Sequence, residues 1–393
     1  MRVCGIIAEY NPFHRGHKYL IDAAADVGIT HTVVVMSGNF VQRGDAAICS
    51  KWSRAEMALK NGVDLVIELS VPYATATAQR FAFGAVGTLN ALGCVDSIVF
   101  GSECGDVDLL QKTAESLADQ EVNSKLREKL ANGITFAAAR QSALEECGIN
   151  SAPLGNPNDS LAIEYVSAIK TLDADISPIA IKRIAVAHDA GSNGIYASAS
   201  HIRELICSGK IDEADKYIPT EAADILHREI RSGRCPATLS RLDMAILAGL
   251  RTMSKEQLLQ LPDISEGLEN RLYDAIRESC SVDEIIKLVK TKRYTHARIR
   301  RIILSALLGI DRGLYSMNPR YIRVLGMNEK GKEILSKANN TLPIITRAKD
   351  VSSLPDAAQK MFYAESAADD LYSLMTDRPQ KCGSNLTNGV IIL

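Results

Sequence analysis

Glu9-Tyr10-Asn11-Pro12-Phe13-His14-Arg15-Gly16-His17 follows directly on a short apolar run, Val3–Ala8, and its reading decides the fold. The run predicts a strand, Asn-Pro a turn, and the residues around Gly16 and His17 the start of a helix carrying Tyr19 to Ala25. A helix N-terminus offers unpaired N–H groups and a partial positive charge to a phosphate. Gly16 leaves room for a nucleotide against the backbone. His14 and His17 stand three apart, so both can face one phosphate from the first turn and donate to its oxygens as charge builds there. Two histidines near a loop can also be plain polar surface. The H-x-G-H spacing straight after a buried strand argues against that.

Outward from this stretch, strand and helix signals alternate. Residues 30–36 (THTVVVM), 63–69 (VDLVIEL), 97–100 (SIVF) and 176–184 read as further strands, and residues 51–61 and 106–131 as helices. Strands separated by helices predict right-handed crossovers and a parallel sheet, an α/β fold. After about residue 212 the pattern changes. Residues 222–229, 240–252, 255–261, 268–279 and 282–290 read as helices with short connections. The last part mixes one or two strands (residues 321–325 and the LPIIT segment) with helices at 329–338 and 357–375, and either folds back on the helices or extends the sheet. The expected division is 1–211, 212–315 and 316–393.

Composition sets the outer limits. A chain of 393 residues has room for roughly two to three domains. With 46% hydrophobic and 23% charged residues it is an ordinary globular sequence, neither disordered nor fibrous. Lys+Arg 45 against Asp+Glu 47 leaves a net charge of −2, so an anionic partner has to be held by local basic patches. No run approaches the roughly 18 apolar residues of a membrane span, and the N-terminal stretch reads as a strand, not a signal peptide. Nine scattered cysteines, never in C-x-x-C, read as reduced cytoplasmic thiols without a zinc site, and no other metal cage is visible.

A second phosphate-binding pattern is Ser198-Ala199-Ser200-His201-Ile202-Arg203. A serine N-cap with an arginine one turn on makes an anion-binding helix start. Alone it is equally a capped surface helix; with the histidine motif in the same α/β region it gains weight. His14, His17, Ser198, Ser200 and Arg203 are the candidate catalytic residues.

H-x-G-H and S-A-S-x-I-R together resemble the nucleotidyltransferase superfamily with a Rossmann-like HUP fold. More closely, residues 6–19 (IIAEYNPFHRGHKY), 36–59 (MSGNFVQRGDAAICSKWSRAEMAL), 99–106, 155–165 (GNPNDSLAIEY), 181–184 (IKRI) and 198–203 resemble the bacterial tRNA(Met) cytidine acetate ligase family. The likeness is strong over residues 1–210 and weaker through the basic segment 290–310. It implies an ATP-binding catalytic domain followed by a mainly helical, tRNA-binding C-terminal region. It implies activation of acetate as acetyl-adenylate with release of pyrophosphate, then acetyl transfer to the wobble cytidine of elongator tRNA(Met), forming N(4)-acetylcytidine. ATP, with Mg²⁺, is then a co-substrate, and tRNA and acetate are the partners, with no membrane and no protein partner indicated. The implied ATP contacts are Ile7, Ala8, Glu9, Tyr10, Asn11, Pro12, Phe13, His14, Arg15, Gly16, His17, Lys18, Tyr19, Leu20, Gly101, Asn158 and Arg183. Gly101 ends a strand at the position where open α/β sheets hold ligands, and Arg183 can offer a fork to phosphate. One departure stands out. The family pattern leads to an asparagine after Asn158, but Asp159 is there. A carboxylate would repel a phosphate; capping the next helix is the harmless alternative.

Arg43, Lys51 and Arg54, in and after the loop that follows the second strand, are expected at the same sheet edge, holding acetate, triphosphate or tRNA; Asp45 can instead pair with Arg43. Residues 290–301 hold six Lys/Arg and no acid, and Lys292, Arg293, Arg300 and Arg301 are expected to form a phosphate-binding stripe, with Tyr294 able to stack on a base. Arg251-Thr-Met-Ser-Lys255 resembles a synthetase signature only superficially, because Ser254 and Gln257 fit a capping box. His188-Asp189 is open between a site pair and a loop contact. Two other readings remain: a small-molecule adenylyltransferase, which leaves the basic stripe unexplained, and a non-catalytic RNA-binding protein, against which the intact histidine pair argues.

Overall fold

The computed structural model describes residues 1–184, 192–265 and 267–393; His188 and Asp189 lie outside the described residues. The strands are β1 (Val3–Ala8), β2 (His31–Ser37), β3 (Phe40–Val41), β4 (Asp45–Ala46), β5 (Leu65–Leu69), β6 (Ser97–Ser102), β7 (Ser177–Lys182), β8 (Ser192–Asn193), β9 (Tyr196–Ala197), β10 (Ile322–Met327), β11 (Ile344–Ile345) and β12 (Ile391–Ile392). The main sheet runs β11-β10-β5-β2-β1-β6-β7, with β12 paired to β10. From β5 through β7 every pairing is parallel. Helices Arg15–Asp26, Lys51–Lys60, Ala78–Leu92 and Pro157–Thr171 lie in the connections.

The uniformly apolar stretch of β2 is explained by its two covered faces. Val33 and Val35 belong to one hydrophobic cluster, with Phe81, Val86 and Leu89. Val34 and Met36 point the other way, into a cluster with Met57, Leu59 and Ile202. The chain leaves β1 to one side for β2 and later returns to the other side for β6. That reversal opens a crevice at the carboxyl end of β1, where ligands of doubly wound sheets bind.

The helical stretch is made of Thr220–Arg231, Asp243–Thr252, Lys255–Leu259, Leu268–Glu278, Val282–Val289 and His296–Leu308. Ser254 and Gln257 form the capping box read from sequence. The C-terminal stretch does both: β10 pairs antiparallel with β5 and β11 and β12 pair parallel with β10, while the Thr238 N–H donates to the Met375 carbonyl at 2.9 Å and Arg241 pairs with Asp377. β10 thus covers an edge that β5 would otherwise expose.

Candidate active site

His14 is the N-cap of helix Arg15–Asp26, and His17 occupies its third position. The Gly16 N–H donates to His14 Nδ1 at 3.1 Å, and the His14 N–H donates to His17 Nδ1 at 3.2 Å. This is a capping box in which both side chains are imidazoles. Because each Nδ1 accepts a hydrogen bond, each neutral ring carries its proton on Nε2. The rings stack at 3.7 Å between centroids. Burial, then the positive charges of Arg183 and Arg203, push the His14 pKa down to about 3. Burial, then His14 and Arg183, hold His17 well below its usual value. The pair is therefore two neutral Nε2–H donors aimed from a helix N-terminus, not two cations.

The turn before them is shaped by Tyr10, which adopts a left-handed backbone (φ 48) unusual for a large side chain. Its buried ring meets Phe13 at 4.9 Å and His17 at 4.8 Å, edge-on. Tyr10 and Phe13 thus brace the imidazoles from below. Asn11 Oδ1 accepts from the Ile48 N–H at 2.8 Å.

The serine–arginine segment reaches this turn. Ser198 caps helix Ala199–Cys207, accepting from the His201 N–H at 3.2 Å. Arg203 Nη2 donates to Ser200 Oγ at 3.1 Å, and its Nη1 donates to the Asn11 carbonyl at 2.8 Å. One cleft is lined by His14, Gly16, His17, Tyr19 and Leu20 together with Gly101, Ile181, Arg183, Tyr196 and Ala197. A Cβ on Gly101 would lie 3.1 Å from Arg183 Cγ, so the glycine lets that side chain lie across the strand end. Arg183 Nη1 donates to Asn158 Oδ1 at 3.3 Å, and the Asn158 amide donates to Glu103.

Of the other residues in 7–20, Arg15 and Lys18 turn away from this cleft. Arg15 Nε donates to the Lys216 carbonyl at 3.0 Å, and Lys18 pairs with Asp22. Ile181, Ile184, Tyr196 and Ala197 line the cleft but were not among the sequence candidates. Tyr196 lies two residues before Ser198, and Ile181 opens the I-K-R-I segment, so both had a local signal.

Asp159 does not face the cleft. It is fully buried and accepts from Ser102 Oγ, from the Glu103 N–H at 2.9 Å, from the Cys104 N–H at 3.1 Å and from Asn156 Nδ2 at 2.9 Å. It pins the turn after β6, so repulsion of a phosphate does not arise.

Lys51 and Arg54 correct the sequence reading. Both are fully buried and held by protein partners, not displayed at the sheet edge as expected. Lys51 Nζ lies 2.5 Å from Glu68 Oε1 and 2.7 Å from Asp369 Oδ2. Glu68, Glu365 and Asp369 are the three acids whose oxygens lie close enough to share a cation among the described residues, and the Lys51 ammonium already sits among them. Arg54 donates to the carbonyls of Glu9, Ser37, Gly38 and Cys49, tying the ends of β1 and β2 together. The expected stripe is also broken up. Arg301 is bound to Asp263 at 3.1 Å, Arg300 reaches Asp45 at 3.2 Å, and Tyr294 is largely buried, with Arg298 over its ring at 5.3 Å. Lys292 is exposed, Arg293 partly so, and Arg43 is exposed near Arg203. A larger cavity of about 900 Å³, between Trp52, Arg228, Asp369 and Lys381, contains none of the cleft residues. Among the described residues no helix is long and apolar enough to cross a membrane.

A model of the HIGH nucleotidyl transferase family matches residues 1–385. The tRNA(Met) cytidine acetate ligase of Thermoanaerobacter sp. (strain X514) is 42% identical, with 100% of each chain covered. The protein of the same name from Caldanaerobacter subterraneus subsp. tengcongensis is 43% identical over 95% of each chain. The crystal structure of Thermotoga maritima TmcAL bound with alpha-thio ATP is similar over 100% of both chains, with a TM-score of 0.93 and 34% identity.

Proposed function

The chain belongs to the HIGH nucleotidyl transferase family and, within it, to the tRNA(Met) cytidine acetate ligases; from that premise we propose how its residues carry the reaction. It is an ATP-dependent ligase that modifies tRNA. ATP lies in the crevice at the end of β1, with its polyphosphate between the two helix starts. An acetate oxygen attacks the α-phosphorus in line, the bond to the bridging oxygen breaks, and pyrophosphate leaves. The Nε2–H groups of His14 and His17 donate to oxygens of the transferring phosphate, while Ser198, Ser200 and Arg203 hold the departing pyrophosphate. Such fixed donors lower the barrier by positioning and charge stabilisation, without a covalent enzyme intermediate. Mg²⁺ arrives with ATP as part of that substrate. In the second half, the exocyclic amine of the wobble cytidine of elongator tRNA(Met) attacks the acetyl carbonyl, AMP leaves, and N(4)-acetylcytidine forms.

The observation that supports this reading is the Arg203–Asn11 contact, which brings the two capped helix starts to one turn. Neutral imidazoles fit the role, because they donate hydrogen bonds over the whole working pH range. In this division of labour residues 1–211 hold ATP and acetate, 212–315 present the basic edge at Lys292 and Arg293 to tRNA, and 316–393 buttress the sheet. ATP and tRNA meet in the cytoplasm, in keeping with the nine reduced thiols read from sequence.

The test is mass spectrometry of nucleosides from unmodified tRNA(Met) incubated with the protein, ATP and isotopically labelled acetate. Labelled N(4)-acetylcytidine at the wobble position supports the reading. An unlabelled product, or none, rejects the acyl donor or the acceptor.

A further inference from the structure

The hairpin of β3 and β4 carries Gln42-Arg43-Gly44 at its tip and links two parts of the molecule. On one side the Gln42 N–H donates to Glu9 Oε1 at 3.0 Å, at the end of β1, and Gln42 Nε2 donates to the Ala76 carbonyl at 3.2 Å. The tip also stands near Arg203: Glu9, which accepts from Gln42, lies two residues before Asn11, whose carbonyl accepts from Arg203 Nη1 at 2.8 Å. Arg203 is held below the ordinary guanidinium range mainly by burial; the charges of Glu9 and Asp45 oppose this, and Arg43 adds repulsion. On the other side the tip rests on the helix His296–Leu308. Gly44 has φ +74, and a Cβ there would lie 2.6 Å from the Arg301 N and 2.7 Å from the Arg300 carbonyl carbon. Arg300 Nη1 then closes on Asp45 Oδ2 at 3.2 Å.

The helix is itself fixed. Ile299, Ile302, Ile303 and Leu304 are buried, Arg301 is paired with Asp263, and Arg298 donates to the Asp263 carbonyl. It is a rigid shelf. The Asp45–Arg300 pair is two-fifths exposed on each side, so its contribution to stability is small. Its effect is geometric: it fixes where the tip points.

Resting on the activity proposed above, we infer that the helix His296–Leu308 positions the active-site hairpin, with Arg300 as a positioning residue, so that Arg43 stands beside Arg203 as a second guanidinium for the departing pyrophosphate. Arg43 is the group that touches substrate. Gly44, Asp45 and Arg300 act through it. The helical region therefore takes part in the ATP half of the reaction, before any RNA is engaged.

The test is a double-mutant cycle on acetate-dependent ATP–pyrophosphate exchange by the full chain without tRNA. R43Q should lower kcat/KM for ATP by about 100-fold, the scale of one charge-stabilising donor. G44A should lower it about tenfold and R300Q about threefold, while R300K, which keeps a cation opposite Asp45, stays near wild type. In the R43Q background G44A and R300Q should each cost less than about twofold, because residues acting through one group are not additive. If they cost the same factor in both backgrounds, or nothing in either, the inference is overturned. If G44A does not fold, the R300Q arm decides alone. No exchange by the unmutated chain rejects the proposed activity itself, and the inference with it.

Discussion

Arg203 Nη1 donates to the Asn11 carbonyl at 2.8 Å, joining a helix start near residue 200 to the turn that presents His14 and His17. The contact uses one edge of the guanidinium, and Ser200 holds another. A lysine has no planar fork to divide in this way. R203K should therefore behave like R203Q: both should lose on the order of 100-fold in kcat for acetate-dependent pyrophosphate exchange with little change in melting temperature. Near-wild-type exchange by R203K would show that only a positive charge is needed.

The histidine pair makes a prediction about pH. In the unfolded chain His14 titrates near its ordinary value of about 6.5, but in the folded protein only near 3. As pH falls below 6.5 the unfolded chain therefore takes up the proton first. This contribution to stability is intact above pH 6.5 and is lost as pH falls toward 3. Between pH 7.5 and pH 5 wild type should lose on the order of 2 kcal/mol more than H14N in urea unfolding. Equal losses would mean that His14 titrates freely. H17A should stay folded and lose acetate-dependent formation of AMP and pyrophosphate; wild-type turnover in that variant would refute the assignment.

Asp159 separates a structural role from an electrostatic one. Its carboxylate accepts from two backbone N–H groups and two side chains around the turn after β6. D159N turns one acceptor into a donor facing donors. It should lower stability by about 1–3 kcal/mol and raise the KM for ATP through displacement of Gly101 and Glu103. A carboxylate that repelled phosphate would give the opposite result: D159N would bind ATP more tightly.

Lys51 lies among buried carboxylates, and removing it leaves them uncompensated. K51M should cost about 3–5 kcal/mol in equilibrium unfolding. The Asp369 carboxyl is raised to about 6, mainly by burial and with Glu68 adding to it, against the pull of Lys51. Between roughly pH 4 and 6 the folded protein thus holds a proton that the unfolded chain releases, so this residue's contribution falls as pH rises. A K51M protein as stable as wild type, with weakened tRNA binding, would restore the substrate-contact reading.

What the sequence made legible was local. The strand ahead of H-x-G-H, the apolar run of β2 and the serine cap before Arg203 each carry their signal within a few residues, so the sheet and the two capped helix starts could be read directly. The capping box made of two imidazoles was hidden, because histidine is a poor N-cap by propensity. Lys51, Arg300 and Arg301 were misread for a different reason. Lys51 is neutralised by Glu68 and Asp369, Arg301 by Asp263, and Arg300 by Asp45. Most of those acids lie far along the chain, so a local count of charges sees the cations without their partners. β10 was visible as a strand, but not its antiparallel place beside β5, which depends on how the intervening helices return the chain.

A crystal structure of this chain with bound alpha-thio ATP tests most directly whether the two segments serve one nucleotide. Nε2 of His14, Nε2 of His17 and the guanidinium of Arg203 should all lie within about 3.5 Å of oxygens of the same polyphosphate. A nucleotide whose phosphates reach the imidazoles but not Arg203, or Arg203 but not the imidazoles, would contradict that arrangement.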